Sequence, residues 1–298
     1  MSLFFGQGVF QMQIVTDSGF DLSPQQKGDF KFHALPLKIT LSGVSYRSGI
    51  DIQPEEFYKL LEKTGDMPIT STPSPGEFLE IYEKVAEEDP DILSVHISSG
   101  LSGTYNSART AAEQFKGANI TLVDTRSLSV EMGWQLEAAI KAVQAGWPID
   151  KILALLTKVR EASEIVFTLP NLTYLIHGGR ISHLKGLLAS LLGIKPLIGV
   201  DKAEGKYYDR GRARTFKQAI QAIPAYIANR IPPGTPLRAQ IGHAHNPEGA
   251  EQLHQEMENL FSCEWLDDCS ISPVLGAHTG QGLVGVVFAP LDQMPELP

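Results

Sequence analysis

Residues 91–107, DILSVHISSGLSGTYNS, carry the clearest structural signal in the chain. The first seven residues are mostly apolar and predict a short buried strand. After them, small and aromatic residues recur at spacings of three and four: Ala108, Ala111, Ala112 and Phe115. This spacing is typical of one face of a helix. Residues 98–107 are therefore predicted to form a strand-to-helix turn made of small and hydroxyl-bearing side chains.

Such a turn has two possible roles. Backbone N–H groups at a helix N-terminus have no partners inside the helix, and Ser or Thr hydroxyls lie beside them. Together with the positive end of the helix dipole, these groups favour an anionic ligand. Alternatively, Ser and Thr at this place only cap the helix, which is a common role for them.

Polar residues also end two other predicted strands of the first half. They are Thr16-Asp17-Ser18 and Asp124-Thr125. The regular alternation of strands and helices predicts βαβ crossovers and a parallel sheet. Ligands of open α/β sheets bind beyond the carboxyl ends of the strands. We therefore expect these two ends and Ser98-Ser99 to meet at one crevice.

The second half has a different pattern, with hairpin signals between its strands. Residues 203–206 predict a tight turn, residues 184–192 a leucine-rich helix that Gly193 ends, and residues 276–282 a glycine-rich loop. We therefore predict an α/β protein of two α/β domains. Residues 1–160 form the first, with a mainly parallel sheet, and residues 161–298 form the second, with a mixed sheet.

Composition excludes several classes of protein. The net charge of −9 argues against nucleic-acid binding, which usually needs a basic face. No apolar run is long enough to span a membrane, and the start of the chain lacks the pattern of a secretory signal. Cys263 and Cys269 have no metal-ligand spacing. We expect a cytoplasmic protein that holds no metal and no cofactor.

A second group of hydroxyls precedes another predicted helix, in the run Thr70-Ser71-Thr72-Pro73-Ser74-Pro75. Ser74 is suited to cap that helix and Pro75 to its first turn. Capping does not explain Thr70, Ser71 and Thr72, which lie upstream of the cap.

A hydrolase is the alternative function. Residues 100–104 nearly match the Gly-x-Ser-x-Gly nucleophile elbow, with Thr104 in place of the last glycine. His278 lies among glycines, where a ligand can approach closely, although a tight turn with an exposed histidine fits equally well. A Ser–His acyl hydrolase would use Ser102 and His278, but no acid for the third role can be identified.

Five motifs in order resemble the DegV family, over nearly the whole chain. They are Thr16-Asp17-Ser18, Thr70-Ser71-Thr72-Pro73-Ser74, Ser98-Ser99-Gly100-Leu101-Ser102-Gly103-Thr104-Tyr105, Gly178-Gly179-Arg180-Ile181-Ser182 and His278-Thr279-Gly280-Gln281-Gly282. Each motif is weak by itself, but five in this order are specific. Gln281 replaces the proline that is usual in the last motif, which affects the rigidity expected near His278.

The resemblance implies a fatty-acid-binding subunit of a bacterial fatty acid kinase, without catalytic machinery of its own. A long-chain fatty acid would lie in a tunnel between the two domains, and the leucine-rich segment 184–192 is a candidate lining. A separate ATP-dependent kinase would phosphorylate the carboxylate. The implied carboxylate ligands are Thr70, Ser102 and His278, supported by Ser71, Ser99 and Gly103, and the implied kinase-facing residues are Arg180, Arg210 and Arg214.

Overall fold

The computed structural model describes residues 12–184 and 193–298. The strands, in chain order, are β1 (Gln13–Asp17), β2 (His33–Leu35), β3 (Lys38–Leu41), β4 (Val44–Arg47), β5 (Ile69–Ser71), β6 (Asp91–His96), β7 (Asn119–Asp124), β8 (Glu164–Thr168), β9 (Lys195–Asp201), β10 (Lys206–Ala213), β11 (Pro236–His243), β12 (Ser262–Trp265), β13 (Cys269–Ser270) and β14 (Val284–Pro290). The helices are α1 (Pro24–Lys27), α2 (Pro54–Thr64), α3 (Pro75–Ala86), α4 (Thr104–Gln114), α5 (Ser129–Gln144), α6 (Ile149–Ala162), α7 (Thr173–His177), α8 (Phe216–Ala228), α9 (Pro247–Glu258) and α10 (Pro273–Thr279). A 3-10 helix covers Arg180–Leu184.

The first sheet has four strands in the order β2-β1-β6-β7, and all neighbours are parallel. Helices α3 and α4 pack on one face, where Phe78, Tyr82 and Ala108 are completely buried. Ala108 and Ala111 belong to the helical face predicted from sequence, and both are buried. The predicted parallel sheet is confirmed.

The second sheet is mixed. Its strands run in the order β10-β9-β8-β14-β11-β12, and β13 also pairs with β11. The pairs of β11 with β12 and β13 are parallel, and the other pairs are antiparallel. The predicted turn at residues 203–206 joins β9 and β10 as a hairpin. The α/β class with one parallel and one mixed sheet is therefore confirmed.

Helix α5 lies at the junction of the two halves. Fourteen of its 16 residues are buried, which is expected of a helix packed on several sides. From α5, Trp134 Nε1 donates to Gln240 Oε1 of β11 at 2.6 Å, and Glu137 accepts from Arg238 Nη2 at 2.5 Å. These bonds fix α5 to the mixed sheet, while α5 follows directly from the parallel sheet in the chain.

A small antiparallel sheet, β4-β3-β5, receives the last helix of the chain. Tyr58 Oη of α2 donates to Ile271 O at 3.1 Å, and Val274 N of α10 donates to Ser48 Oγ at 3.2 Å. The chain's C-terminal part thus packs against its N-terminal half. The division at residue 160 stays a prediction.

Two local predictions have other outcomes. The predicted loop 276–282 is wrong in its first part, because α10 continues through Thr279. Gly276 lets α10 pack closely against Tyr58, since an added Cβ at this position would stand 2.4 Å from Tyr58 Oη. Of the predicted leucine-rich helix, residues 185–192 lie outside the described residues. Among the described residues, no helix is both long and apolar enough to cross a membrane.

Candidate functional site

The turn after β6 folds tightly on itself. The N–H groups of Leu101 and Ser102 both donate to Ser98 O at 3.0 Å. Gly103 is the N-cap of α4 and supplies no side-chain cap. Ser102 Oγ takes part instead, accepting from Thr104 N at 3.3 Å and bonding to Thr104 Oγ1 at 2.8 Å. Ser102 therefore supports the start of α4 and remains half-buried at the surface of the turn.

The polar ends of β1, β6 and β7 meet as expected. Asp17 Oδ2 accepts from Ile97 N at 3.0 Å, and Ser99 Oγ donates to Asp124 Oδ2 at 2.5 Å. Asp17 is completely buried, and the Asp124 carboxylate is already hydrogen-bonded to Ser99. These two carboxylates therefore hold the strand ends together.

Thr70 and His278 lie 208 residues apart in the chain and are in direct contact. Thr70 Oγ1 and His278 Nε2 are 2.8 Å apart. Thr70 lies on β5, and His278 lies in the last turn of α10, which packs against that small sheet. Two of the three residues that the resemblance assigns to the carboxylate are therefore brought together by the docking of α10.

Gly178 makes room for this histidine. A Cβ at Gly178 would stand 2.1 Å from His278 Nδ1. Its φ of −72° is open to any residue, so glycine is needed for space. Sequence reasoning did not assign Gly178 this role. The doubled glycine before Arg180 was a signal of close approach, but it did not identify the neighbour.

Arg180 ties the second glycine motif to the turn. Its Nη1 donates to Gly178 O at 2.6 Å, and its Nε donates to Leu101 O at 3.4 Å. A surface depression of about 410 Å³ lies between the two motifs. It is lined by Ser99, Gly100, Leu101, Ser102, Gly103, Asn106, Gly178, Gly179 and Arg180. Four of the five motifs therefore meet around one place, through Thr70, Ser102, Gly178 and His278.

The other predicted residues take different positions. Ser71 is exposed on β5. Arg210 lies on β10 in an ion pair with Glu164 (3.3 Å), and Arg214 is exposed just after that strand. Neither arginine lines the depression, whereas Arg180 does. Arg180 thus lies beside residues that the resemblance assigns to the carboxylate.

Thr72 is a neighbour of the turn that sequence reasoning did not assign to the site. A Cβ at Gly103 would stand 3.9 Å from Thr72 Oγ1, so the hydroxyl run beginning at Thr70 reaches the start of α4. Its signal was its position upstream of the cap, where capping could not explain it.

His278 is neutral near pH 7. Burial, and then the positive charges of Arg180 and His177, lower the pKa of His278 from 6.5 to about 4. Its Nδ1 is buried and has no hydrogen-bond partner among the described residues. The histidine therefore contributes hydrogen bonding to the site and leaves the positive charge to Arg180.

An apolar cavity of about 30 Å³ lies between the start of α5 and the mixed sheet. It is lined by Leu128, Ser129, Val130, Ile165, Phe167, Tyr207, Gly242, Ile271, Leu275, Thr279, Leu283, Gly285, Val286 and Val287. Gly242 and Gly285 face each other in the β11–β14 pair, and neither has a positive φ. Glycine inside a strand weakens it and often marks a place where another group comes close.

The two residues of the hydrolase alternative, Ser102 and His278, have other hydrogen-bond partners in the structure. Ser102 Oγ bonds to Thr104, and His278 Nε2 bonds to Thr70, so each group has another hydroxyl as its partner.

Within the part of the chain that the structure describes, no three His, Cys, Asp or Glu side chains are placed to hold a metal ion.

The chain is similar to known proteins along nearly its whole length. Residues 11–291 match a family model described as an uncharacterised protein of the DegV family. A DegV domain-containing protein of Staphylococcus aureus is 36% identical over 274 residues, covering 92% of this chain and 97% of the relative.

Two solved structures have the same fold. A fatty-acid-binding DegV family protein of Thermus thermophilus is 32% identical with a TM-score of 0.84, covering 94% of this chain and 100% of its own. DegV of Bacillus subtilis, described as a fatty acid binding protein, is 26% identical with a TM-score of 0.83, covering 94% and 99%. This chain belongs to the DegV family.

Proposed function

We propose that this chain binds a long-chain fatty acid and presents its carboxylate to a separate ATP-dependent kinase, which forms the acyl phosphate. One observation carries the proposal. Helix α10 joins a polar pocket to an apolar cavity, because His278 contacts Thr70 while the next residue, Thr279, lines the cavity. An amphiphile with one polar end fits this junction. The fatty acid binding of the Thermus and Bacillus relatives supports the same class of ligand.

The carboxylate would be held by hydroxyl and backbone donors. Ser102 Oγ and backbone N–H groups at the start of α4, whose N-cap Gly103 has no side chain, would supply some of these donors, and Thr70 Oγ1 would supply another. The α-hydrogen of Gly178 points toward His278 Nδ1, which suits a lone pair there and places the imidazole proton on Nε2. Thr70 then accepts from Nε2 and is free to donate its own proton to the carboxylate.

Neutral donors leave the carboxylate available to a second protein. A buried bidentate pair with an arginine would occupy both carboxylate oxygens. Arg180 instead spends two of its donors on Leu101 O and Gly178 O, and its charge still attracts an anion to the depression. The carboxylate is thereby bound and remains accessible for phosphoryl transfer.

The tail would supply most of the affinity. Burial of each CH₂ group contributes about 0.8 kcal/mol, before the cost of ordering the chain. The cavity of about 30 Å³ holds little more than one water molecule, so an acyl chain must displace side chains along it. An added Cβ would stand 2.9 Å from Ile271 Cδ1 at Gly242 and 2.4 Å from Phe167 Cβ at Gly285, so these glycines let the lining side chains pack closely against the sheet.

The kinase is a separate protein in this proposal. The sequence contains no Gly-x-x-x-x-Gly-Lys-Ser/Thr phosphate loop. Phosphoryl transfer needs a metal-bound nucleotide held in line with its acceptor, which requires dedicated machinery. Arg214 is exposed at the end of the edge strand β10 and is a candidate contact for an acidic partner.

The coupled reaction tests this proposal. With fatty acid, ATP and Mg²⁺, we expect acyl phosphate only after a fatty acid kinase protein is added. Arg214→Glu should slow the coupled reaction several-fold at low salt and less at high salt, with unchanged fatty-acid affinity. Lys63→Glu, an equal charge reversal at an exposed position of α2, is the matched control.

Two results would contradict the proposal. One is acyl phosphate made by this chain alone. The other is hydrolysis of aryl esters that disappears in Ser102→Ala, which would favour the hydrolase.

A further inference from the structure

A buried carboxyl group closes one side of the apolar cavity. Asp21 Oδ2 accepts from Ser129 Oγ at 2.6 Å, and Asp21 Oδ1 accepts from Ser272 N at 2.9 Å. The backbone of Asp21 also donates to Ser129 O at 3.1 Å. We call these three residues the Asp21 cluster. Ser129 has a φ of 55°, which is uncommon for a residue other than glycine, so the surroundings hold it in place.

The Asp21 cluster separates two spaces. Ser129 lines the apolar cavity together with Ile271. Asp21 and Ser272 line a cleft of about 400 Å³ on the other side. The cluster is thus a wall between the cavity and the surface.

Helix α10 places this wall at the far end from the head-group residues. Ser272 is the N-cap of α10, and His278 lies in its last turn. Leu275, between them, lines the cavity. At 1.5 Å per residue, the seven-residue helix is about 10 Å long. A ligand whose carboxylate lies at His278 and whose tail follows the cavity therefore extends toward the Asp21 cluster.

We propose that the Asp21 cluster is the tail-end stop of the acyl site, so that it limits the length of the fatty acid that fits. This inference rests on the proposed function. The cluster suits such a role because Ser129 Oγ and Ser272 N both donate to the Asp21 carboxylate, which therefore offers nothing to a terminal methyl group. Burial raises the pKa of Asp21 to about 6, against the lowering effect of its hydrogen bonds with Ser129 and Ser272. Without the wall, the end of a longer chain would enter the cleft.

The test compares chain-length profiles of binding. The double variant Asp21→Ala, Ser129→Gly removes the wall, and glycine accepts the positive φ at position 129. Asp21→Asn is the matched control, because it keeps the size of the side chain and can still pair with both neighbours. Ser129→Gly alone is the milder opening if the double variant does not fold. Each protein, freed of lipid, is titrated with saturated fatty acids in steps of two carbons.

We expect the open variants to bind best at a chain length at least two carbons above the optimum of the parent protein. Between the parent's optimum and their own longer optimum, the open variants should gain affinity with each added pair of methylenes, by up to about tenfold. Over the same chain lengths, the parent protein should bind more weakly with each added pair. Asp21→Asn should keep the parent's profile. Uniform weakening at all lengths with an unmoved optimum would overturn this inference alone. A parent protein that binds no fatty acid would overturn the proposed function as well.

Discussion

Two histidines of this protein contact hydroxyl groups, and their surroundings differ completely. His96 Nδ1 lies 2.9 Å from Asp17 Oδ2, and its Nε2 lies 2.7 Å from Ser94 Oγ. Ser94 Oγ in turn lies 2.8 Å from Tyr82 Oη. This chain of contacts has the Ser–His–Asp composition of a hydrolase triad. However, Asp17, Ser94 and His96 are completely buried, so the group is sealed inside the parallel sheet.

The other histidine, His278, has no carboxylate among its hydrogen-bond partners in the described residues. It contacts Thr70, and both lie beside an open depression with Ser102 and Arg180. The comparison teaches that the composition of a polar cluster does not identify a site. Access to solvent separates the two histidines, because the depression beside His278 is open whereas the His96 cluster is buried.

Breaking the buried cluster should have the largest effect on stability. Asp17→Ala would leave Gly19 N, Ile97 N and His96 Nδ1 without their acceptor. We expect the free energy of unfolding to fall by about 3–5 kcal/mol. Asp17→Asn, which keeps one acceptor, should lose less. Urea unfolding measures both, and a loss below about 1 kcal/mol in Asp17→Ala would contradict a structural role.

Removing the hydroxyl of Thr70 or of Ser102 should weaken fatty-acid binding while the fold stays intact. A hydrogen bond to a charged group contributes about 1.5–3 kcal/mol, so Thr70→Ala and Ser102→Ala should each weaken fatty-acid binding roughly ten- to a hundredfold. Thr157→Ala, which removes an exposed hydroxyl bonded to Leu153 O, is the control and should change nothing. Calorimetric titration of lipid-free protein decides the question, and unchanged affinity in both variants would remove these residues from the site.

The pH dependence of stability sharpens the comparison further. The pKa of His278 is about 4 in the folded protein and 6.5 in an unfolded chain, so the unfolded chain takes up a proton first as the pH falls. The contribution of His278 is complete above pH 6.5 and is lost between pH 6.5 and 4. The free energy of unfolding at pH 5 should therefore be about 2 kcal/mol lower than at pH 7 because of His278 alone.

His278→Gln should lack this part of the pH dependence, because glutamine does not titrate. Urea unfolding of parent and variant at pH 7 and pH 5 measures the difference between the two proteins, which cancels other groups such as Asp21. Equal pH dependence in both proteins would contradict a buried neutral histidine.

Local patterns predicted much of the fold. The strand, turn and helix at residues 91–114 follow from an apolar run, small residues and helical spacing, all within one segment. Strand β5 was missed because its only large apolar residue, Ile69, is 64% exposed, so no buried alternation marks it. The last four residues of α10, 276–279, were predicted as a loop because the sequence does not show that Gly276 is needed for contact with Tyr58, which lies 218 positions away.

The site was less predictable than the fold. The turn at Ser102 could be found from its own sequence, and so could the unexplained hydroxyls at Thr70. The contact between Thr70 and His278 could not, because it depends on the docking of α10 onto a small sheet from the other half of the chain. Only the resemblance to a family joined these motifs. The position of Arg180 beside the turn likewise required the folded chain.

The most direct test of fatty-acid binding is mass spectrometry of the lipid released when the purified protein is denatured. The account predicts about one long-chain fatty acid per protein chain, since one enclosed site binds one ligand. Protein carrying both Thr70→Ala and Ser102→Ala should release much less after the same purification. Protein that folds normally, releases no fatty acid and takes none up from solution would contradict the account.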